Sequence, residues 1–104
     1  MIEIRKANEK DIPSIARLEE VSFSAPWSEK AISETMARDE SVFLVATRNG
    51  AVAGYIGSYF CHPEGYITNV AVSPSFRRQG IGRRLIEELI KRGKEKNGRN
   101  ESSR

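Results

Sequence analysis

The densest chemistry in the chain lies in residues 69–90, NVAVSPSFRRQGIGRRLIEELI. An apolar run ends at Ser73-Pro74, the pair Arg77-Arg78 follows, and Gly80, Gly82 and Arg83 open a helix-like pattern. This order suits an anion of the phosphate kind. The first turn of a helix leaves backbone N–H groups without partners, and the aligned peptide dipoles add partial positive charge there. Glycine at 80 and 82 removes side chains that would keep a pyrophosphate away from those amides. Arg77, Arg78 and Arg83 add full charges, and a guanidinium can meet phosphate oxygens with two parallel hydrogen bonds. A bare Gly-x-Gly also describes an ordinary tight turn. The strand before it, the helix after it and the arginines around it favour the anion site.

Other reactive residues carry less. Cys61 and His62 suggest a nucleophile and its base, but neighbours in a strand point to opposite faces, so the pair is not read as catalytic. They are the chain's one cysteine and one histidine, which leaves no internal disulfide and no expected metal site. The net charge of +3 is mild but uneven, with Arg77, Arg78, Arg83, Arg84, Lys91, Arg92, Lys94 and Lys96 crowding the last third. From Arg84 onward a solvated helix face and a charged tail explain these charges as well as an anion site does. Binding to nucleic acid is a weaker reading, since no repeated aromatics interleave with the charges. With 104 residues, 38% hydrophobic and 30% charged, the chain reads as one ordinary globular domain at most. It holds no apolar run near the roughly 18 residues of a membrane span. The opening MIEIRKANEKD has no signal-peptide core. A reducing, cytoplasmic setting is expected.

The elements that must position the loop follow from period and punctuation. Ile2-Glu3-Ile4 alternates as a short strand. Asp11 is placed to cap a helix with Pro13 in its first turn, and Ile12, Ile15, Leu18 and Val21 recur at helical spacing. Pro26 pushes Ala25 out of the helical region, and Ser28 caps a second helix to about residue 38 whose inner stripe is Ala31, Ile32, Thr35 and Met36. Strands are expected over 42–47, 51–60 and 66–72. Asn49-Gly50 is the hairpin turn between the first two of these. Gly54 and Gly57 mark a bulge or a close backbone approach. Residues 61–65 turn into the last strand. A final helix runs from Ile81, with Leu85, Ile86, Leu89 and Ile90 inward, to about Arg92. The remainder, KEKNGRNESSR, is free of apolar residues and cannot join a core. The expected units are therefore residues 1–93, a packed domain, and residues 94–104, a polar tail.

RRQGIG resembles the R/Q-x-x-G-x-G/A coenzyme-A loop of the GCN5-related N-acetyltransferases (GNAT), with Arg77, Gly80 and Gly82 at the pattern positions. The surrounding ITNVAVSPSFRRQGIGRRLIEELI is similar to the RimI-type protein N-terminal acetyltransferases, which act on a ribosomal protein's N-terminal alanine. APWSE, residues 25–29, resembles the loop between the first two helices of that subfamily. The likeness spans residues 2 to about 92. It implies an α+β sandwich of order β1-α1-α2-β2-β3-β4-α3 with a mainly antiparallel sheet, lacking the family's C-terminal strands and helix. It also implies acetyl-coenzyme A as cosubstrate. The backbone of Val70, Ala71 and Val72 would pair with the pantetheine arm, and Arg77, Arg78, Gln79, Gly80, Ile81, Gly82 and Arg83 would surround the pyrophosphate. Phe23, Pro26 and Trp27 would shape the groove for the acceptor's N-terminus. Trp27 is equally a core aromatic, and Tyr66 is expected to pack within its strand rather than touch substrate.

Family enzymes let a neutral amine attack the thioester directly, aided by a base and by an acid for the departing thiolate. In the RimI-type enzymes these are a glutamate on the strand after the coenzyme-A helix and a tyrosine in an N-x-x-A-x-x-L-Y-type helix. Neither segment has a counterpart here, so no catalytic residue is carried over. The chain is expected to be a truncated or frameshifted descendant. The implied acceptor is a protein or peptide N-terminus, a ribosomal protein among the candidates, with no direct contact to nucleic acid or membrane. The strand over 66–72 would be an open edge, and a homodimer is expected to cover it. The alternative function is a coenzyme-A-binding or dimerisation module without catalysis.

Overall fold

The computed structural model describes residues 2–61 and 64–102. The elements are β1 (Ile2–Lys6), α1 (Ile12–Ser22), α2 (Glu29–Met36), β2 (Ser41–Arg48), β3 (Ala51–Cys61), β4 (Glu64–Val72) and α3 (Ile81–Ser102), with short 3-10 turns at Glu9–Asp11 and Pro74–Phe76. The strands form an antiparallel sheet of order β1-β2-β3-β4. Among the described residues β4 pairs only with β3, so its outer edge is open. The architecture is the expected α+β sandwich in the expected order.

Each face of the sheet has its own core because strand residues alternate between faces. Phe43, Val45, Tyr55 and Ala71 pack with Ile12, Ile15, Ala16 and Leu18 of α1 and Ile32 of α2. Leu44, Ala46, Ala53 and Ile56 pack with Ile81, Leu85 and Leu89 of α3. Burying an Ile or Leu side chain contributes about 1.5–3 kcal/mol, so these clusters rather than helix propensity hold the layers together. Among the described residues no helix is long and apolar enough to cross a membrane.

Local signals work where the chemistry is local. Asn49 and Gly50 both take positive φ, 53° and 84°, and join β2 to β3 as a two-residue turn. Ser28 Oγ accepts from the Ala31 N–H at 3.1 Å and starts α2. Pro13 sits in the first turn of α1. Gly54 and Gly57 lie at the two register shifts of β3. A Cβ on Gly54 would stand 3.0 Å from the Ala71 carbonyl oxygen, and one on Gly57 would stand 3.0 Å from the Phe43 ring. Both the bulge and the close approach are therefore realised.

Some expectations change. Asp11 makes no side-chain cap for α1. Asn8 caps the preceding 3-10 turn instead, and the Asp11 carboxylate accepts from the Asn8 N–H at 2.8 Å and from both Arg5 Nη atoms at 2.7 and 2.9 Å. A cation six residues upstream outcompetes the local cap. Val21 is 54% exposed, since α1 ends one residue later and its last turn leaves the core. The helix α3 does not stop near Arg92 but continues to Ser102. Apolar periodicity marks only the stretch that packs, whereas Lys, Glu and Arg sustain a helix already begun. Gly93 is buried, and a Cβ there would stand 2.8 Å from the Phe60 ring, so the glycine marks close packing as well as the end of the pattern. Cys61 pairs with Glu64, extending both strands beyond expectation. His62 lies outside the described residues, so the Cys61–His62 pair is left there.

Candidate functional site

Two positive φ values shape the loop between β4 and α3. Arg78 has φ of 68° and Gly80 has φ of 73°. Glycine takes this conformation freely, whereas in an arginine it is uncommon and costs about 1–2 kcal/mol. The Ser73 N–H donates to the Ala53 carbonyl at 2.8 Å, which anchors the loop at its start. The first bond from α3 back into the loop runs from Arg84 N to the Gly80 carbonyl at 3.0 Å. The N–H groups of Ile81, Gly82 and Arg83 precede it and have no helical acceptor. Nothing stands within 4 Å of a Cβ built on Gly80, so the space over the turn is open.

The arginines divide by role. Arg77 Nε donates to the Val72 carbonyl at 3.3 Å and folds the loop back on β4. Arg84 Nη2 donates to the Ile2 carbonyl at 3.3 Å, and Arg83 pairs with Glu87 at 3.2 Å. Among the described residues Arg78 makes no side-chain hydrogen bond or ion pair. From the neighbouring hairpin, Arg48 reaches Gln79 Oε1 at 3.3 Å. Arg77, Arg78, Gln79 and Gly80 are all exposed. The result is an exposed cationic turn beside first-turn amides, a combination suited to a phosphate-bearing ligand.

The strand lies against this cradle. A Cβ on Gly82 would stand 3.7 Å from Val72 Cγ2 and 4.0 Å from Val70 Cγ1, so residue 82 faces the angle between α3 and β4. Val70, Ala71 and Val72 pair with Ile56, Tyr55 and Gly54 on one side, and among the described residues no strand pairs with the other side of β4. A phosphate carrying an extended arm could thus meet amides first and a strand edge next. The residues present fit the coenzyme-A assignment on these grounds.

On the opposite face from α3, Phe23 and Trp27 are half-buried against the core of α1 and α2, while Pro26 is exposed. Trp27 also lines an open hollow of about 280 Å³ with Thr35, Arg38, Glu40, Ser41, Tyr59 and Thr68. The core role expected of Trp27 is realised. Tyr66 stacks on Tyr59 at 5.1 Å between ring centres, in keeping with packing inside the hairpin.

Sequence reasoning passed over the most connected polar group, Glu19. It is fully buried and accepts from Trp27 N at 2.9 Å, from Asn69 Nδ2 at 2.8 Å and from the Tyr55 hydroxyl. Burial, then the adjacent carboxylate, push the Tyr55 hydroxyl above its ordinary pKa. A signal existed: residues 12, 15, 16 and 19 share one helix face, so Glu19 stands in the apolar stripe of α1.

Comparison with known proteins bears on the fold and the family. A [ribosomal protein bS18]-alanine N-acetyltransferase from Escherichia coli (strain K12) is 34% identical over 80 residues, covering 77% of this chain and 53% of the relative. The crystal structure of the ribosomal-protein-S18-alanine N-acetyltransferase from Escherichia coli superposes with a TM-score of 0.84 at 29% identity, covering 92% of this chain and 61% of that one. The fold also recurs, at 20% identity and a TM-score of 0.80, in the PaiA N-acetyltransferase from Thermoplasma acidophilum in complex with coenzyme A, over 93% of this chain and 74% of that one. The chain thus spans about half to two thirds of the length of the first two of these relatives. Residues 12–102 match the acetyltransferase (GNAT) family, and the chain belongs to that family.

Proposed function

We propose that this chain is the coenzyme-binding part of an N-acetyltransferase that takes acetyl from acetyl-coenzyme A to a protein N-terminus beginning with alanine, as on a ribosomal protein. The observation that carries this reading is the loop. Arg78 and Gly80 take positive φ at the entry to α3, whose first-turn amides at Ile81, Gly82 and Arg83 precede the first helical hydrogen bond, and among the described residues β4 pairs only with β3. Gln79, Gly80, Ile81 and Gly82 would donate main-chain hydrogen bonds to the pyrophosphate, with Arg77, Arg78 and Arg83 supplying charge. Val70, Ala71 and Val72 would hold the pantetheine arm as an added strand. When bound, acetyl-coenzyme A supplies an activated acyl thioester. Phe23, Pro26 and Trp27 would line the approach of the acceptor amine. The setting proposed is cytoplasmic.

A second reading is a binding or dimerisation module without catalysis. The observation favouring it is an apolar hollow of about 240 Å³ alongside β4, lined by Phe60, Ile67, Leu89 and Ile90 among others. Ile67 and Ile90 are 48% and 51% exposed there. Apolar surface beside an unpaired strand edge suits a second copy of the chain. Isothermal titration with acetyl-coenzyme A tests the coenzyme site, and no heat at high micromolar ligand would remove it from both readings. Turnover of an alanine-starting peptide separates enzyme from module. Sedimentation of the chain decides whether a dimer covers β4.

A further inference from the structure

The carboxylate of Glu19 joins parts of the molecule that no other described group joins. Its Oε1 accepts from the backbone of Trp27, eight residues on. Its Oε2 accepts from Tyr55 on β3 and from Asn69 on β4, which are 36 and 50 residues away. Between Ser24 and Trp27 the bond to Glu19 is the only hydrogen bond among the described residues that ties the α1–α2 connection to the rest of the chain. Asn69 stands opposite Gly57 at the register shift of β4, next to Val70.

Burying a carboxylate is costly, and the described ion pairs leave Glu19 without a cation. Hydrogen bonds offset the cost only if donors arrive from fixed directions. Each donor is then fixed in return, and a satisfied buried network specifies one arrangement. An apolar residue would pack this stripe more cheaply beside Ile12, Ile15 and Ala16, but it would leave Trp27, Tyr55 and Asn69 without their acceptor.

We propose that Glu19 is the positioning residue that clamps the acceptor loop, residues 23–28, onto the strand that receives the coenzyme. This rests on the acceptor and coenzyme sites proposed above. Trp27 belongs to the acceptor side and Asn69 adjoins the pantetheine strand, so one carboxylate sets the spacing between amine and thioester. Its loss separates acceptor recognition from coenzyme recognition.

The test uses the full chain, where Trp27 is the single tryptophan and its emission reports the loop directly. Glu19→Gln retains one acceptor oxygen and places an NH₂ among donors. In this variant acrylamide quenching of Trp27 rises, and affinity for an alanine-starting peptide, read with coenzyme A present, falls about tenfold or more. Acetyl-coenzyme A affinity in calorimetry stays within about twofold of wild type, because the cradle amides are untouched. Asn69→Ala cuts the link from its half-exposed end and shifts quenching and peptide affinity the same way by a smaller amount. It decides the matter if Glu19→Gln fails to fold. Wild-type quenching and peptide affinity in a folded variant overturn the proposal, as does an equal loss of peptide and coenzyme affinity. If the wild-type chain binds neither ligand, the proposed function fails, and Trp27 quenching alone still decides whether Glu19 holds the loop.

Discussion

The two polar centres of this protein are built in opposite ways. The loop over residues 77–80 is exposed, continuous in sequence and held by backbone conformation, and it leads into the first-turn amides of α3 with arginines on either side. The cluster at Glu19 is buried, discontinuous and held by side chains from α1, β3 and β4 with one backbone N–H from the α1–α2 connection. A ligand that arrives with its own charges needs an open and locally encoded cradle. A geometry that must be kept between two substrates needs a buried tie between elements. The contrast teaches that the loop and the buried cluster can be perturbed separately, so the two proposed roles have separate tests.

The largest expected effect breaks the loop alone. Gly82→Trp fills the angle between α3 and β4, where the first side-chain atom already lies 3.7 Å from Val72. It abolishes acetyl-coenzyme A binding in calorimetry while the circular dichroism spectrum stays native; unchanged affinity would reduce the loop to a plain turn. Next comes the buried tie. Glu19→Ala strands the donors of Trp27, Tyr55 and Asn69 and lowers unfolding free energy by about 2–4 kcal/mol in denaturant titration. A loss below about 0.5 kcal/mol would show that water or rearrangement satisfies those donors.

Smaller effects sharpen the contrast. Gly80→Ala meets no neighbour but must hold φ of 73°, so it costs about 1 kcal/mol of stability and weakens coenzyme binding. The buried cluster also titrates. The folded-state pKa of Tyr55 is raised, mainly by burial, so its contribution to stability is whole below the unfolded value near 10 and is lost as pH climbs toward the folded value. Melting points measured above pH 10 therefore fall more steeply in wild type than in Tyr55→Phe. The smallest effect is at Arg83, whose pair with Glu87 is exposed at both ends. Arg83→Ala changes stability by less than about 0.5 kcal/mol, whereas coenzyme affinity drops if the charge serves the cradle.

Much of this molecule was legible because short-range rules governed it. Asn49-Gly50, Pro13 and Ser28 sit where their backbone preferences place them, and the inner stripe of α1 at Ile12, Ile15 and Leu18 is buried as its spacing requires. Positive φ at Gly80 and the start of α3 at Ile81 follow the same kind of local signal, since Arg77, Gly80 and Gly82 are neighbours in sequence. Asp11 misled because Arg5 competes for it across a turn. The length of α3 misled because Phe60 packs where Gly93 leaves room, and helix continues beyond the packed stripe.

Residue order along the chain thus determines the Asn49-Gly50 turn, the Ser28 cap, the amphipathic faces and the glycine-bearing entry to α3, all of which depend on groups within a few positions of one another. Only the folded sheet decides that Glu19 meets Asn69, because a separation of 50 residues is closed by strand pairing and by the register shift at Gly57. Among the described residues, the same sheet pairs β4 on one side only. Local conformational preference acts over a turn or two, whereas burial of a charge is decided by every element packed around it.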